Sequence, residues 1–490
     1  MIQQIPQEII DIYKKISDSG FEVYFVGGGV RDMLMKKKVN DWDLTTNATP
    51  QDILKIFPDA FYDNKFGTVG IPIGKVIEEQ EHEGVVEITT FRTEKGYEDK
   101  RHPKTVEWGK SIEEDLARRD FTINAIAMRL QPEAVIASTF NSFSVNSAKQ
   151  SQRDKKIATS YSPRNDKDYE IIDPFFGEKD LENKIIKAVG NPNERFKEDA
   201  LRLLRAIRIA TELSFVIEEN TWKAIVADAL LIKEISPERI KTELLRILAS
   251  NYPYEGITML KHSELLKYIM PELYEGIDLS QARPGRHHTE DVFTHNLLSL
   301  KLTPSNDPIV RFAALIHDIA KPRVASTDEN GLVIFHNHEI VGTKMAREIT
   351  DRLKFSKKER EKVVNLIRWH MFSVNEFITD AAIRRFIRRV GVENIKDMID
   401  LRIGDRLGGG TQTAESWRLK KFKERVEEQL KPAPFSINDL AIDGNDIMKE
   451  LNLKPGPKIG EILQKLFEEV DEDLSKNTRE YLLQRIKELI

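Results

Sequence analysis

Two aspartates, Asp41 and Asp43, have the residue type and the spacing of a magnesium site. They lie two residues apart in the run Asp41-Trp42-Asp43-Leu44, which has the pattern of an extended segment. Side chains two apart on such a segment point to the same face. Carboxylate oxygens placed in this way can hold Mg²⁺, which keeps most of its waters and also binds substrate phosphates. Two such ions can activate an attacking hydroxyl group and stabilise a phosphate leaving group.

A run of glycines, Gly27-Gly28-Gly29, precedes the aspartates and favours this interpretation over a plain polar turn, which is the commoner meaning of an Asp-x-Asp pair. At the start of a helix, the backbone N–H groups of glycines can receive phosphate oxygens. Arg31 lies beside them in the sequence. We therefore expect Gly28, Gly29 and Arg31 to bind the phosphates of a nucleotide.

Three arginines further along the chain, Arg202, Arg205 and Arg208, recur at every third position and so share one helix face. Asp199 is predicted one turn before Arg202 on that same face. An Asp acceptor and an Arg donor can together present the hydrogen-bonding edge that a cytosine or adenine would meet in a duplex. The alternative is a salt-bridged helix in which these charges only pair with each other.

A second set of possible metal ligands follows in the order His, His-Asp, Asp. The adjacent His317 and Asp318 interrupt an apolar helical run, where an unpaired aspartate would be costly to bury unless it coordinates something. Buried histidines can also do no more than satisfy hydrogen bonds in a core. The predicted ligands are His295, His317, Asp318 and Asp405, with His338 and His370 as possible additions.

Composition limits what these residues can belong to. A chain of 490 residues is too long for one hydrophobic core, so several domains are expected. The absence of cysteine excludes disulfides and thiolate metal sites. A net charge of −5 argues against a general polyanion binder. The sequence has no apolar run of membrane-spanning length and no secretory signal pattern, so we expect a cytoplasmic protein without membrane contact.

Periodicity predicts a small α/β head that positions the first site, followed by a helical remainder. The Ser-, Asn- and Lys-rich residues 132–170 predict a disordered insert before the helical part. The head is expected to contain a helix at 5–19, a strand at 21–26 ended by the glycines, a helix at 30–36, and strands at 67–73, 85–91 and 121–130.

Four motifs in this order resemble those of the class II tRNA nucleotidyltransferases and bacterial poly(A) polymerases. The first combines Gly28-Gly29-Val30-Arg31-Asp32 with Asp41-Trp42-Asp43, and the second is Arg118-Arg119-Asp120-Phe121-Thr122-Ile123-Asn124-Ala125. The third, Asp173-Pro174-Phe175-Phe176-Gly177-Glu178-Lys179-Asp180-Leu181, resembles the hinge between head and neck. The fourth is Glu198-Asp199-Ala200-Leu201-Arg202-Leu203-Leu204-Arg205-Ala206-Ile207-Arg208.

The resemblance implies an enzyme that extends tRNA 3′ ends from CTP and ATP without a nucleic-acid template. It implies that Asp41 and Asp43 hold Mg²⁺, that Arg119 and Asp120 contact the phosphates and ribose of the nucleotide, and that the fourth motif reads the base. The expected fold class is a mixed-sheet head like that of DNA polymerase β, followed by helical neck, body and tail domains. The tRNA 3′ end and acceptor stem are the expected partners.

The resemblance also suggests domain boundaries. These are a head at 1–177, a helical neck at 178–250, a body at 251–430 and an RNA-contacting tail at 431–490. The histidines and aspartates of the body resemble the divalent-metal site of HD phosphohydrolase domains, here at about 286–410. In HD-bearing relatives such domains hydrolyse phosphate esters, including 2′,3′-cyclic ends.

Two positions depart from the family pattern, because Lys36 and Phe176 stand where relatives usually carry glycine. Two alternative functions stay open at this point. The motifs do not separate tRNA nucleotidyltransferase from poly(A) polymerase, and the chain could instead be an HD phosphohydrolase whose head only binds RNA. The intact Asp41, Asp43 and Arg119 favour a working head.

Overall fold

The computed structural model forms two compact units, Met1–Glu243 with Thr258–Ile269 and Leu244–Ile257 with Met270–Ile490. No helix in the described part of the chain is both long and apolar enough to cross a membrane. The structure describes residues 5–39, 41–62, 68–73, 84–97, 103–109, 111–131, 168–281, 291–372, 374, 377–411, 413–430 and 436–489.

The first unit is built on a mixed sheet. Within the described residues its seven strands lie in the order β3-β4-β5-β2-β1-β8-β9, and all neighbours are antiparallel except the parallel pair β2 and β5. Strands β6 and β7 form a separate antiparallel hairpin. The strands are β1 Val23–Val26, β2 Asp43–Thr46, β3 Phe61–Tyr62, β4 Thr68–Ile73, β5 Gly84–Thr90, β6 Arg92–Tyr97, β7 Pro103–Trp108, β8 Ala127–Leu130 and β9 Tyr169–Ile172. The helices of the head are α1 Gln7–Asp18, α2 Gly27–Leu34, α3 Pro50–Ile56 and α4 Ile112–Ala117.

One face of this sheet is covered because α1 is amphipathic. Its isoleucines and Tyr13 are buried, and Tyr13 stacks on Phe25 of β1 with ring centroids 5.3 Å apart. Phe25 also meets Trp42 edge-on, with ring centroids 5.4 Å apart. Trp42 is buried between the two aspartates of the predicted magnesium site, so the aromatic core anchors the short segment that carries them.

The predicted fold class, a mixed-sheet head followed by helices, is confirmed. Two local predictions were wrong. Helix α2 begins at Gly27, so the glycines form its first turn and do not separate it from β1. The segment predicted as one strand at 121–130 begins with a 3-10 turn at Thr122–Asn124, because buried Asp120 accepts hydrogen bonds from Phe121 N and Asn124 and bends the chain there.

The predicted disordered insert lies almost wholly outside the described residues, as do the first residues of the predicted tail, 431–435. At the end of that insert, Tyr169 and Glu170 belong to β9, which pairs with β8. Two residues that composition alone assigned to a loop are therefore part of a strand, because their backbone pairs with the edge of the sheet.

Helices make up most of the remaining chain. Two-stranded pairs are formed by β10 Ile185–Ile186 with β11 Val216–Ile217 and by β12 Ala325–Thr327 with β13 Val333–Phe335. The helices are α5 Gly177–Glu182, α6 Pro192–Glu198, α7 Leu201–Leu213, α8 Glu219–Ala227, α9 Pro237–Ala249, α10 Pro253–His262, α11 Leu265–Ile269, α12 Val292–Leu302, α13 Pro308–Ile316, α14 Lys321–Val324, α15 His338–Arg352, α16 Lys357–Trp369, α17 Asp380–Val390, α18 Ile395–Gly408, α19 Trp417–Leu430, α20 Gly444–Leu451, α21 Pro457–Glu472 and α22 Arg479–Glu488. Short 3-10 turns lie at Ala229–Glu234, Pro271–Gly276, Val392–Asn394, Ile437–Asp439 and Leu474–Lys476.

The two positions at which the resemblance led us to expect glycine have left-handed backbones. Lys36 has φ +58°, and Phe176, immediately before α5, has φ +60° with 72% of its surface exposed. A side chain with a Cβ atom is strained in this conformation, whereas glycine is not. The chain therefore keeps a backbone that suits glycine while carrying lysine and phenylalanine.

We expect Phe176→Gly to raise the free energy of unfolding by about 1 kcal/mol, because it removes the left-handed penalty and loses little packing at an exposed site. The measurement is denaturant unfolding followed by circular dichroism. Phe176→Ala is the matched control, since it removes the same ring but keeps Cβ and the strain. Equal stabilisation by both variants would show that the exposed ring, and not the backbone, is responsible.

Candidate functional site

The first site lies where β1, α2 and β2 meet. Asp43 is the first residue of β2 and is half-buried, while Asp41 precedes the strand and is exposed. A Cβ atom built on Gly27 would lie 3.2 Å from Asp43 Oδ2 and 3.2 Å from Arg119 Nη1. The glycine start of α2, a carboxylate and a guanidinium group are therefore in close contact.

Backbone geometry explains why glycine is needed here. Gly27 has φ +73°, a left-handed conformation that strains other residues. A Cβ atom on Gly29 would lie 2.9 Å from the backbone oxygen of Asp41, which cannot move without displacing the aspartates. Gly28 faces more open space, because a Cβ atom placed there would have Arg31 Nη2 as its nearest neighbour, at 3.6 Å. Close packing of α2 against the carboxylate segment thus accounts for two of the three glycines.

A third carboxylate, which sequence reasoning missed, lies beside Asp43. Glu87 of β5 is directly opposite Asp43 in the parallel pairing of β5 with β2, so the two side chains share a face of the sheet. Burial, the charge of Asp41 and the charge of Glu87 raise the pKa of Asp43 to about 6, although Arg119 opposes them. Three acidic groups at one strand end form the kind of oxygen-rich environment that a divalent cation favours.

The second motif is held in place by a buried acid. Asp115 is fully buried and lies 2.7 Å from Arg118 Nη2 and 3.2 Å from Arg119 Nη2. Burial alone would raise the pKa of Asp115, but the two guanidinium groups hold it below its usual value. Asp115 therefore stays charged and orients Arg119 toward Asp43. No sign of this positioning role was visible in the sequence, because Asp115 lies within an ordinary helical pattern.

Two predicted nucleotide-binding residues pair with each other. Asp120 Oδ2 lies 2.6 Å from Arg205 Nη2 and 2.8 Å from Arg205 Nε. The guanidinium group holds the pKa of Asp120 well below its usual value despite burial. Arg31 is also held, because it donates to Asn124 Oδ1 at 2.9 Å and to Asp32 Oδ1 at 2.8 Å. Residues far apart in sequence thus form one polar network around the glycine start of α2.

The fourth motif differs from its predicted geometry. We expected Asp199 on the same helix as Arg202, but α6 ends at Glu198, α7 begins at Leu201, and Asp199 has an extended backbone between them. The carboxylate of Asp199 accepts hydrogen bonds from Arg239, at 2.7 Å to Oδ2. Because the helix breaks here, Asp199 does not lie on the face of α7 that carries Arg202, and its side chain points to α9 instead.

The arginines of α7 have distinct surroundings. Arg202 Nη1 donates to Glu198 Oε2 at 2.6 Å, and Arg202 Nη2 donates to the backbone oxygen of Arg118 at 3.1 Å. Arg208 is buried and pairs with Glu243 at 2.6 Å and Glu212 at 2.7 Å. These two ion pairs support a structural role for Arg208, and its predicted contact with nucleotide stays a prediction.

The second site is a cluster of six side chains in the other unit. His295 comes from α12, His317 and Asp318 follow α13, His338 opens α15, His370 follows α16 and Asp405 lies on α18. All of these side chains except that of Asp405, which is half-buried, are buried. The structure therefore brings together every residue that the sequence predicted for this site.

Asp318 lies between two pairs of histidines, His295 with His317 and His338 with His370, which form the two halves of the cluster. Its Oδ2 lies 3.3 Å from His295 Nε2 and 3.2 Å from His317 Nε2, while its Oδ1 lies 3.3 Å from His338 Nε2 and 3.8 Å from His370 Nε2. Each half has the ligand spacing of a metal-binding group. Asp405 Oδ1 adds a second carboxylate to the first half, 3.3 Å from His295 Nε2. Histidine nitrogens and carboxylate oxygens of this kind could hold divalent cations, with Asp318 contributing an oxygen to each half.

Backbone carbonyls orient three of the imidazole rings. The Nδ1 atoms of His317, His338 and His370 lie 2.7 to 2.9 Å from the backbone oxygens of Ala314, Phe335 and Ile367. Such contacts favour a proton on Nδ1 and leave Nε2 available as a ligand. Burial and the charge of His317 lower the pKa of His370 to about 3, so its ring is neutral at physiological pH. Burial also lowers the pKa of His317, but the carboxylates of Asp318 and Asp405 outweigh it and raise that pKa to about 10, so a metal would have to displace a proton from His317. Neutral imidazole is the form that binds metal.

Comparison with known proteins identifies the family. The family model described as the poly A polymerase head domain matches residues 23–146. Two others, described as the probable RNA and SrmB-binding site of polymerase A and as tRNA nucleotidyltransferase domain 2, match residues 214–276 and 327–486. The CCA-adding enzyme of Pediococcus pentosaceus is 31% identical over 504 aligned residues, covering 99% of this chain and 99% of that protein. The chain belongs to the CCA-adding enzyme family.

Other relatives agree with this membership. The CCA-adding enzyme of Geobacillus thermodenitrificans is 36% identical over 265 residues, which is 54% of each chain. The Bacillus stearothermophilus CCA-adding enzyme, solved in complex with CTP, has the same fold with a TM-score of 0.64 at 24% identity, covering 99% of this chain and 97% of that one. The Thermotoga maritima enzyme, solved with tRNA_CCA, has a TM-score of 0.53 at 18% identity, covering 100% of this chain and 97% of that one.

Family membership makes the chain a nucleotidyltransferase, as the four motifs predicted. The fold of the family indicates a nucleotidyltransferase that depends on a divalent metal. The three matching family models leave residues 277–326 unmatched, and this segment contains His295, His317 and Asp318.

Proposed function

We propose that this protein adds C, C and A, or a subset of them, to tRNA 3′ ends from CTP and ATP in the cytoplasm. The observation that carries the proposal is the contact of Asp43 and Arg119 at Gly27, because it joins a cation-binding carboxylate to a phosphate-binding helix start. Asp41 and Asp43 would hold Mg²⁺, with Glu87 beside them. At the predicted boundaries, the head would bind the nucleotide, the neck would bind its base, and the body and tail would bind the tRNA.

The residues of the head suit this reaction. Bound Mg²⁺ would activate the 3′-hydroxyl of the tRNA and stabilise the pyrophosphate that leaves. The N–H groups of Gly28 and Gly29 and the guanidinium groups of Arg31 and Arg119 would bind the triphosphate. Asp120 and Arg205 would orient the ribose and keep each other charged.

The test is to incubate the purified protein with tRNA that lacks its 3′ end and with each labelled triphosphate in turn. We expect short products that contain C and then A. Long adenylate tails would instead assign the chain to the poly(A) polymerases of the same superfamily. A head that binds tRNA but incorporates no nucleotide would contradict both assignments.

Base choice is expected to depend on Asp199. Asp199→Ala should reduce the preference for the correct nucleotide by about tenfold or more, because a lost base-edge hydrogen bond leaves its partner unpaired, while triphosphate affinity changes little. The measurement is kcat/KM for CTP and ATP on tRNA ending before the last C or before A. Arg202→Ala should act in the same direction.

Arg239→Ala is the matched control for this effect. It breaks the same Asp199–Arg239 ion pair but keeps the carboxylate of Asp199. If both variants lose activity equally with all nucleotides, the ion pair stabilises the neck and Asp199 does not read the base.

A second function is favoured by the histidine cluster. We propose that it binds divalent metal and hydrolyses phosphate esters independently of Asp41 and Asp43. The six converging side chains and the bridging position of Asp318 support this proposal. Metals bound here would polarise a phosphoryl oxygen and supply an activated water. Lys321 Nζ, 2.5 Å from Asp318 Oδ2, lies where it could also bind a substrate phosphate.

A further inference from the structure

An apolar platform lies on the mixed sheet of the head, on the face that carries Asp43. Phe61, Pro72 and Val85 form this platform, and all three are exposed, with 45% of the surface of Phe61 and 43% of that of Val85 open to solvent. We propose that the Phe61 ring stacks on the base of the 3′-terminal nucleotide of the acceptor tRNA and so positions its 3′-hydroxyl beside Asp43. The inference rests on the proposed nucleotide addition and adds a residue that holds the RNA end.

Strand register places Phe61 in line with Asp43. Asp43 of β2 pairs with Glu87 of β5, which in turn pairs with Gly70 of β4. Phe61 of β3 pairs with Gly70. Residues paired directly across neighbouring strands point to the same face of a sheet. Neighbouring strands lie about 4.8 Å apart, so the backbone of Phe61 is about 14 Å from that of Asp43. These positions therefore form one row across the face that carries the carboxylates.

The Phe61 ring extends along this row toward Asp43. A Cβ atom built on Gly70 would lie 2.5 Å from Phe61 Cζ, so the ring occupies the space above Gly70 that a side chain would otherwise fill. The same Cβ atom would lie 3.0 Å from Val85 Cγ1, which places Val85 beside the ring. The tip of the ring is thus two strand spacings, or about 10 Å, from Asp43. A nucleotide whose 3′-hydroxyl lies beside Asp43 can reach the ring with its base.

The groups that would bind the triphosphate lie on the other side of Asp43. The glycine start of α2 and Arg119 are on the side of β1, whereas Glu87 and Phe61 are on the side of β5. In an in-line displacement the attacking and leaving oxygens lie on opposite sides of the reacting phosphorus. Since pyrophosphate would leave toward α2, the 3′-hydroxyl would approach from the side of β5, where the platform lies.

The side chains of this row suit a base better than a phosphate. The platform is uncharged and Glu87 beside it is acidic and exposed, so a phosphate placed here would be repelled. A base is uncharged and can stack on an exposed aromatic ring whatever its identity. The proposed reaction changes the terminal base of the acceptor as nucleotides are added. A stacking contact accepts each of these ends, whereas a site built to hydrogen-bond one base would reject others.

An aromatic ring above a strand glycine can also stabilise a sheet without any ligand. This alternative explains the contact of Phe61 with Gly70 but gives no reason for its place in line with the carboxylates. The two roles predict different results with an acceptor that has no terminal base. A stacking residue matters only when that base is present, whereas a residue that stabilises the sheet matters equally with both acceptors.

The experiment measures kcat/KM for two tRNA acceptors that differ only at the 3′ end, which is a normal nucleotide in one and an abasic ribose with a free 3′-hydroxyl in the other. We expect wild type to lose about tenfold or more on the abasic acceptor, the effect of one stacked base. Phe61→Leu should lose a similar factor on the normal acceptor and nothing further on the abasic one. Its KM for the triphosphate and its melting temperature should stay close to those of wild type, and Phe61→Trp should restore addition.

Tyr62→Leu is the matched control, because Tyr62 is an aromatic residue of the same strand with 46% of its surface exposed, and it points to the opposite face of the sheet. It should extend both acceptors like wild type. If Phe61→Leu is weaker than wild type by the same factor on both acceptors, the ring only stabilises the sheet and the proposal is overturned. Normal addition by Phe61→Leu would also overturn it and leave the proposed function intact. Failure of wild type to extend the normal acceptor would reject nucleotide addition itself, and this inference with it.

Discussion

Asp43→Asn should reduce nucleotide addition to tRNA by about 10³-fold or more, because it would remove a proposed ligand of the Mg²⁺ ion that would supply several kcal/mol of charge stabilisation in the transition state. The change keeps the size of the side chain. We therefore expect the melting temperature and the affinity for tRNA to stay close to those of wild type. Asp41→Asn should have a comparable effect, since its carboxylate is close enough to raise the pKa of Asp43.

The measurement is single-turnover incorporation of labelled CTP and ATP into tRNA that lacks its 3′ end, with tRNA binding followed by filter retention. Asp59→Asn is the matched control, because Asp59 is an exposed carboxylate of the same domain outside the site. Near-normal incorporation by Asp43→Asn would remove the basis of the magnesium assignment. A variant that loses tRNA binding as well would point to a damaged fold.

Asp318→Asn should abolish hydrolysis of phosphate esters, with a loss of about 10³-fold or more, while leaving nucleotide addition within a small factor of wild type. Asp318 is expected to have this effect because its two oxygens face both halves of the histidine cluster, so that losing it would weaken metal binding in both halves. The double variant His317→Ala/Asp318→Ala should lose hydrolysis as well. Asp43→Asn should show the opposite pattern, since the two sites use no common residue.

Hydrolysis is measured on 2′,3′-cyclic and monoester nucleotides with Mg²⁺, Mn²⁺, Ni²⁺ and Co²⁺, and bound metal is quantified by mass spectrometry. His336→Ala is the matched control, because His336 lies two residues before His338 but is exposed and outside the cluster. If no metal copurifies with wild type and none supports hydrolysis, the cluster serves the packing of the helices and the second function is rejected.

Local chemistry in the sequence determined most of the candidate residues. Asp41 and Asp43 were recognisable because two carboxylates at a spacing of two on an extended segment must share a face. The glycines were recognisable because a helix start without side chains exposes its N–H groups. His317 and Asp318 were recognisable because burying a charged pair inside an apolar run is costly unless the pair binds something. Each of these inferences depends on residues that are neighbours in the chain, where geometry follows from the backbone alone.

Only the tertiary structure decided which residues, distant in the sequence, lie beside these candidate residues. Glu87 lies beside Asp43 because β5 pairs in parallel with β2, and sequence periodicity predicts a strand but not its neighbour or register. Asp199 points to Arg239 because the helix breaks before Ala200, and Asp318 bridges four histidines because the helices that carry them converge. Such contacts depend on how whole elements pack, a choice made by the sum of many weak interactions that no short stretch of sequence contains.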